Sequence, residues 1–344
     1  MATTNLDSAD LKAVAAGGWI REDVMDKIWD ISNVPLPLTN MIGKGTAENS
    51  YEEWITDVLA TPSTANKVVD GAALNTQNDT RTGARLGNHC QISVKVVQVS
   101  SRADSSDVIG TTRELSYQVM QRQKELRRDV EAAALTGQAS VADDGATIPG
   151  QSAGLAAFMS VNKNLGATGA VPGFQAGTKL ITAITQGTKR ALTETMVRDM
   201  CQLIYEAGGD PSVMMARPGC IRKFSEYCFT SSARIATLTS ETGQSETPST
   251  AKGAVNVFVT DFGVTLDLIP NRIQPDVAAS VSNVFILDPP TIGMDYLRGY
   301  QVEPLAKVGL SETRMMSVDW QVHVFANTAN GLIADIDYAV PVTL

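Results

Sequence analysis

Ser152 lies at the centre of the stretch of this sequence that best matches a catalytic motif. Residues 150–154, GQSAG, have the pattern G-x-S-x-G. In serine hydrolases this pattern places a nucleophilic serine on a sharp turn between a strand and a helix. The chemistry also needs a histidine to take the serine proton and an acid to orient that histidine. The motif therefore raises one enzymatic hypothesis, a serine hydrolase that uses Ser152.

The surroundings of Ser152 do not favour this hypothesis. The preceding residues, 143–149 (DDGATIP), indicate a loop with a proline rather than a buried strand. The chain has two histidines. His89 precedes the serine, against the chain order of that fold, and His323 falls inside a predicted strand. A loop of small residues is the favoured interpretation, and the hydrolase remains an alternative.

The sequence gives little support for a metal site or for reactive cysteines. His89 and Cys90 are adjacent, but zinc needs three or four ligands at a recognisable spacing, and no partner motif is present. The four cysteines follow no disulfide or metal pattern, so we expect reduced, packed thiols, as in cytosolic proteins. We therefore expect no catalytic residue, no metal site and no cofactor. The cysteines are Cys90, Cys201, Cys220 and Cys228.

Composition points to a folded globular protein, and the absence of a credible catalytic site favours a structural or assembly role over an enzyme. Of 344 residues, 43% are hydrophobic and 19% charged, enough for one large domain or a few smaller ones. The net charge of −9, without a basic tract, argues against tight nucleic-acid binding, which depends on Lys and Arg. No apolar run is long enough to cross a membrane, and the N-terminus lacks the features of a secretory signal.

A long charged helix is predicted over residues 111–136. Thr111 and Glu114 form a capping box, and Gly137 is a favourable stop. The helix would be about 39 Å long at roughly 1.5 Å per residue. One apolar stripe runs along it and indicates a helix lying on a surface. The stripe consists of Leu115, Val119, Leu126, Val130 and Ala133.

The remaining faces of this helix are charged. The spacing predicts ion pairs between Arg127 and Glu131 and between Glu125 and Arg128. Each such pair adds only a few tenths of a kcal/mol. The charges are therefore available to neighbours or solvent.

A strand at 51–60 and a clear strand at 91–100 enclose a segment rich in Thr, Asn, Gly and Ala, residues 61–88. That segment has no aromatic residue and cannot build a core of its own. It is either a mobile surface loop or a two-stranded flap. A lone two-stranded hairpin is marginal in water, so an ordered flap would lie on a neighbouring subunit.

The rest of the chain predicts a mixed α/β organisation that closes with a β-hairpin over residues 316–337. Trp320, Val322 and Val324 should share one face of its first strand. The other predicted elements are a helix at 20–31, an extended connector at 33–40, a helix at about 190–207 starting near Thr193, a strand at 212–216, a helix at 219–230, a mobile loop at 239–253, and strands at 254–270 and 283–297.

The order of these elements resembles that of the major capsid proteins of tailed bacteriophages with the Hong Kong 97-type fold. The resembling segments are 53–60, 85–110, 114–137, 210–225, 286–314 and 323–336. The resemblance implies an α+β chain divided into an N-terminal arm (1–40), an extended loop (41–103), a first part of the peripheral domain with the spine helix (104–189), an axial domain (190–300) and closing strands of the peripheral domain (301–344).

The resemblance also implies a function. Copies of the chain would form hexamers and pentamers of an icosahedral virion shell, assembled in the host bacterial cytoplasm, that encloses double-stranded DNA without binding it specifically. Further partners would be a portal, a decoration protein and, because little sequence precedes the flap, a separate scaffolding protein. An encapsulin-type compartment around protein cargo is the alternative shell. The candidate residues for contacts between subunits are Trp54, Arg81, Arg85, Arg122, Lys124, Arg127 and Arg128.

Overall fold

A computed structural model describes most of the chain. The described residues are 35–57, 83–108, 113–230, 257–260, 262–307 and 309–340, with scattered positions between 59 and 71. The predicted helix at 20–31, the loop at 239–253, Thr111 and Arg81 lie outside them.

Helices and strands are mixed along the chain, in agreement with the predicted α+β class. The helices are α1 (Pro37–Met41), α2 (Ser101–Ser105), α3 (Glu114–Ala134), α4 (Leu155–Phe158), α5 (Glu194–Glu206) and α6 (Pro218–Thr230). The strands are β1 (Gly43–Thr46), β2 (Tyr51–Thr56), β3 (Ala84–His89), β4 (Gln91–Ser100), β5 (Asn162–Asn164), β6 (Gly173–Gln175), β7 (Leu180–Thr182), β8 (Val213–Ala216), β9 (Val257–Val259), β10 (Thr265–Pro270), β11 (Val281–Leu287), β12 (Ile292–Pro304), β13 (Ser311–Val324) and β14 (Gly331–Asp337).

Two larger sheets organise these strands. The first has four strands in the order β1-β12-β13-β4, and the second has six in the order β5-β14-β11-β8-β10-β9. Two-stranded ribbons, β2-β3 and β6-β7, accompany them. The β2-β3 ribbon is antiparallel, from Tyr51 opposite His89 to Thr56 opposite Ala84. This ribbon pairs only the base of the segment, and most of the residues that would distinguish a flap from a loop lie outside the described ones.

The long helix α3 packs on the four-stranded sheet through the predicted stripe. Leu126 and Val130 are buried, and Leu115, Val119 and Ala133 pack against the same core. The helix begins later than predicted, after Arg113, whose side chain makes no cap. The Leu115 amide instead donates to Asp104 Oδ1 at 3.1 Å, so an acid from α2 supplies an acceptor at this helix start.

Strand β4 is confirmed, but its apolar row faces away from the core. Ile92, Val94 and Val96 are 51%, 44% and 53% exposed. The helix-facing side carries Lys95, whose Nζ lies 2.7 Å from Asp129 Oδ2 on α3. On the helix-facing side, Val97 and Val99 pack in the core with α3, so the helix is held by apolar contacts as well as by the Lys95 ion pair, while the described part of the other face exposes apolar side chains.

The predicted closing hairpin is wrong. Trp320, Val322 and Val324 do share a buried face of β13, but β13 pairs with β12 and β4, so both of its edges are taken. A 3-10 turn, Asn327–Ala329, carries the chain to the second sheet, where β14 pairs with β11 and β5.

The side chain of buried Asn330 ties this crossing to the one between β11 and β12. Its Nδ2 donates to Thr291 Oγ1 at 2.7 Å and to the Ala326 carbonyl at 3.0 Å. Its Oδ1 accepts the Asp288 amide at 2.9 Å. Two neighbouring connections between the sheets are therefore held together by one side chain.

The remaining helices cover the six-stranded sheet. Helix α5 starts where predicted, with Thr193 Oγ1 accepting the Met196 amide at 3.4 Å. The apolar sides of α5 and α6 form a second core with β8, β10 and β11. The opposite face of this sheet, with Met215, Phe285 and Leu332, packs in the first core, so that core is shared by the two sheets.

Candidate functional site

The β2-β3 ribbon, the root of the flap, is anchored on the first sheet by Trp54. Its indole Nε1 donates to the Val324 carbonyl at 2.8 Å. Its ring lies 4.0 Å from the His323 ring and 6.1 Å from the buried Phe158, between centroids. The flap root is therefore part of the subunit's own core.

Beside Trp54, three ionisable side chains meet between the ribbon and the sheet. We call Glu52, Asp295 and His323 the flap-root cluster. His323 Nδ1 lies 2.5 Å from Asp295 Oδ2, and Gln321 Nε2 donates to Glu52 Oε2 at 2.5 Å. Burial raises the pKa of Glu52, and the nearby Asp295 carboxylate raises it further.

Neighbouring strands place these side chains together. Asp295 on β12 lies opposite Gln321 on β13, and His323 follows two residues later on the same face. Gly293 is opposite His323, and Gly45 on β1 is opposite Asp295. A Cβ at Gly45 would overlap the Asp295 carboxylate, so glycine leaves the space that this carboxylate occupies.

Ser152 has a structural position. It is fully buried, and its Oγ accepts the Asn88 amide at 3.0 Å and the Val322 amide at 3.1 Å. Both histidines are in the described part of the chain, and neither donates to or accepts from this hydroxyl there. The geometry lacks the serine–histidine contact that nucleophilic catalysis needs.

Asn88 completes this junction. Its Nδ2 also donates to the Val322 carbonyl at 2.8 Å, and its Oδ1 accepts the Ala153 amide at 2.9 Å. The GQSAG segment therefore ties strand β3 of the flap root to β13 and to the start of α4.

The cysteines whose side chains are described are buried thiols, as expected. Cys90, Cys201 and Cys220 are free, and burial raises the pKa of each to about 12. The side chain of Cys228 lies outside the described residues.

The ion pairs predicted on α3 are wrong. Glu131 is fully buried, and its carboxylate accepts the backbone amides of Leu38 and Thr39, each at 2.8 Å, instead of pairing with Arg127. The same carboxylate accepts the Thr39 hydroxyl and, at 2.9 Å, the side-chain amide of Asn271. Glu131 thus joins α3, α1 and the end of β10.

The arginines of α3 have other neighbours. Arg122 pairs with Glu125 at 2.5 Å, in place of the predicted ion pair between Glu125 and Arg128. The Arg127 guanidinium lies 5.4 Å from the Tyr300 ring centroid. Helical spacing alone could not reveal this, because the partners that decide these pairings come from other elements.

The candidate contact residues have diverse positions within one chain. Arg85 is exposed and pairs with Glu53 at 3.5 Å. Arg127 and Arg128 are exposed on α3, whereas Arg122 and Lys124 are half-buried. Trp54 packs inside its own subunit, and Arg81 lies outside the described residues. Their contacts with other subunits remain a prediction.

Comparison with known proteins identifies the family. A model of the SU10 major capsid protein family matches residues 2–337. The chain belongs to this family. It is also 35% identical to the major capsid protein of Escherichia phage Phieco32 over 103 residues, which span 30% of this chain and 29% of that protein. The match thus spans less than a third of the Phieco32 protein.

Solved structures agree on the fold. The capsid of cyanophage A-1(L) superimposes with a TM-score of 0.59 at 16% identity, covering 94% of this chain and 99% of that one. The SrpI encapsulin of Synechococcus elongatus PCC 7942 gives 0.55 at 12% identity, covering 96% and 98%. At these identities the likeness establishes the fold alone, the Hong Kong 97-type fold.

The family match favours a phage capsid over the encapsulin compartment that shares this fold. The chain is a major capsid protein of a tailed phage, with a structural role, and its place is the virion. In the described part of the chain, no helix has the length and apolarity to span a bilayer.

The sequence missed the flap-root cluster and the role of Glu131. Their members lie far apart in the chain, and no local spacing joins Glu52 to Asp295 and His323. The hints in the sequence are Asp295, a charged residue among apolar residues of a predicted strand, and Glu131, which follows Val130 of the apolar stripe on the long helix.

Proposed function

We propose that copies of this capsid protein assemble as hexamers and pentamers into an icosahedral shell that encloses double-stranded DNA. The match of the family model to nearly the whole chain carries this proposal. The apolar row of Ile92, Val94 and Val96 on the uncovered face of the first sheet supports it. Contiguous exposed apolar side chains are typical of surfaces that contact another protein. A second copy of this chain is the partner that a shell supplies.

The charged side of α3 is a further proposed contact surface. It combines exposed arginines, Arg127 and Arg128, with the half-buried Arg122 and Lys124. Arg85 at the flap root, with Trp54 and Arg81, completes the proposed set of contact residues. Opposite charges on a neighbouring copy would set register and orientation more than affinity.

This surface can be tested by charge reversal. We expect Arg128→Glu to slow or abolish shell formation. Arg102→Glu replaces another exposed arginine, on α2; it is the matched control and should assemble normally. Equal assembly of both variants, measured by light scattering and electron microscopy, would remove Arg128 from the contact surface.

Acidic composition supports enclosure of DNA without specific binding. The chain carries 37 Asp and Glu against 28 Lys and Arg. Affinity for DNA grows with the number of phosphates neutralised and falls steeply with salt. We expect purified subunits to show weak DNA binding at physiological salt. A tight, strongly salt-dependent affinity would contradict this part of the proposal.

We also propose the remaining partners from the resemblance to tailed-phage capsid proteins. They are a separate scaffolding protein, a portal and a decoration protein, with assembly in the host bacterial cytoplasm. Co-expression with the neighbouring phage genes tests them. We expect closed shells of uniform size only when a scaffolding protein is present.

Electron microscopy of the purified protein tests the central proposal. Closed shells, or rings of five and six subunits, are expected. A monomer of 36.6 kDa at every concentration and salt, with co-expressed phage proteins present, would refute it.

An encapsulin-type compartment is the second candidate, favoured by the fold of the SrpI encapsulin. The contents of the particles distinguish the two. Nuclease-protected DNA in particles from infected cells indicates a phage capsid, whereas a single packaged protein indicates a compartment.

A further inference from the structure

The flap-root cluster has the composition of a cation site. One ligand atom from each of Glu52, Asp295 and His323 lies within 4.8 Å of the others. Asp295 and His323 are 7% and 6% exposed, and Glu52 is half-buried. Two carboxylates in so small a buried space repel each other unless a positive charge lies between them.

Two polar atoms of the residues that contact these carboxylates lack hydrogen-bond partners within the described structure. They are His323 Nε2 and Gln321 Oε1, and both are buried. Buried polar atoms without a partner are rare in folded proteins and call for an explanation such as an ion. Gln321 contributes to the cluster through its Nε2, so a half-turn of its amide would direct Oε1 toward Glu52.

The walls around His323 hold its ring in place. Trp54 lies on one side, 4.0 Å away between ring centroids, and Phe325 lies 3.9 Å away. The facing position Gly293 leaves room beside the ring, whereas the space at Gly45 is taken by the Asp295 carboxylate. Metal ligands need side chains that their surroundings hold in place.

We propose that Glu52, Asp295 and His323 bind one divalent transition-metal cation at the root of the flap. Carboxylate and imidazole together favour Zn²⁺ or Mn²⁺ over Ca²⁺ and Mg²⁺, which prefer oxygen ligands only. Ligands at about 2.0–2.2 Å from zinc lie roughly 3.3–3.6 Å apart in a tetrahedral site. The cluster would therefore contract by about 1 Å around the ion, and His323 would give up its contact with Asp295 at Nδ1 or bind through Nε2, with the Gln321 amide oxygen as a fourth ligand.

Such an ion would link three strands. Glu52 belongs to β2 of the flap root, whereas Asp295 and His323 belong to β12 and β13 of the first sheet. The ion would therefore hold the flap root on the sheet together with the bond from Trp54 to Val324. All of these contacts lie within one chain, so the site does not depend on shell assembly.

Metal binding by the full-length protein tests the site directly. Chelator-treated protein is dialysed against Zn²⁺, Mn²⁺, Mg²⁺ or Ca²⁺, and bound metal is measured by mass spectrometry. We expect one Zn²⁺ or Mn²⁺ per chain and little binding of the other two. Co²⁺ in the same site should give visible absorption bands whose intensity reports its coordination geometry, and these bands should change in His323→Gln.

Variants assign the ligands. Glu52→Gln, Asp295→Asn and His323→Gln should each weaken binding by at least about tenfold, the scale found even for residues that only support metal ligands. Glu48→Gln removes an exposed charge near Glu52 and is the matched control, which should bind as the wild type does. Added Zn²⁺ should also slow hydrogen exchange of the β2 amides in the wild type but not in Glu52→Gln.

Two results would overturn the proposal. The first is the absence of stoichiometric metal with any of the four cations, which would leave a metal-free pair of His323 and Asp295. The second is equal binding by the wild type and Glu52→Gln, which would place the metal elsewhere. Glu52→Gln decides the matter even if the buried variants fail to fold, because Glu52 is half-buried and glutamine keeps its shape.

Discussion

Replacing Glu131 by Gln should destabilise the subunit far more than its place on a charged helix suggests. The Glu131 carboxylate accepts four hydrogen bonds, two on each oxygen. Glutamine keeps one acceptor oxygen and puts an amide donor in place of the other. The favourable orientation points that amide at Thr39, whose hydroxyl can turn and accept it.

The expected loss of stability follows from the hydrogen bonds that the glutamine amide cannot make in this orientation. The Thr39 backbone amide loses its acceptor in the core, which costs about 1–3 kcal/mol. The bonds to Leu38 and Asn271 change from charge-assisted to neutral, which costs about 1 kcal/mol in total. We therefore expect Glu131→Gln to reduce the free energy of unfolding by about 2–4 kcal/mol.

Glu125→Gln is the matched control on the same helix. It removes an ion pair with Arg122 whose side chains are 42% and 37% exposed, so it should cost less than about 1 kcal/mol. Thermal unfolding compares the two variants, and hydrogen exchange reports on the Leu38 and Thr39 amides. Equal melting temperatures for both variants, with these amides still protected in Glu131→Gln, would refute the reasoning.

Three further outcomes are expected. Ser152→Ala should lower the free energy of unfolding by about 1–3 kcal/mol, because the side-chain amide of Asn88 and the backbone amide of Val322 lose an acceptor. A fluorophosphonate probe should not label the wild type. Labelling at Ser152 would support the serine hydrolase instead. Trp54→Ala should lower the free energy of unfolding by about 3–5 kcal/mol and speed amide hydrogen exchange in the β2-β3 ribbon. Trp54→Phe keeps most of the packing and should lower it by less. Backbone amides at 146–148 and the Thr147 hydroxyl hold the pKa of Asp144 well below its usual range, so its contribution is present above about pH 4 and lost as the pH falls further. The melting temperatures of wild type and Asp144→Ala should therefore differ at pH 6 and converge toward pH 2; a constant difference would contradict this.

The sequence predicted those parts of the fold that repeat locally. The stripe of α3 recurs at helical spacing, and the face formed by Trp320, Val322 and Val324 recurs at strand spacing, so each could be identified from its own segment. The cap at Thr193 is likewise a local signal. The resemblance that gave the family rests on such segments in their order along the chain.

The sequence could not predict what depends on distant partners. Glu131 looked like the partner of Arg127 because the two are neighbours on the helix surface, but donors from α1 and Asn271 take its carboxylate. The turn after β13 looked like that of a hairpin because turn residues do not tell which sheet receives the next strand. The flap-root cluster joins three strands, and only their register brings it together.

The side chain of Asn330 has a mechanical consequence for the capsid subunit. The connections that it ties, Leu287 to Ile292 and Val324 to Gly331, lead from one sheet to the other side by side. A single connection would let one sheet rotate about it relative to the other. Two connections bonded together restrict that rotation and leave bending about the line that passes through both. Twisting one sheet against the other would shear the bonds to Thr291, Ala326 and Asp288, whereas bending about the line through both connections would keep them. The hydrogen bonds of the buried Asn330 therefore resist twisting at this junction more than bending.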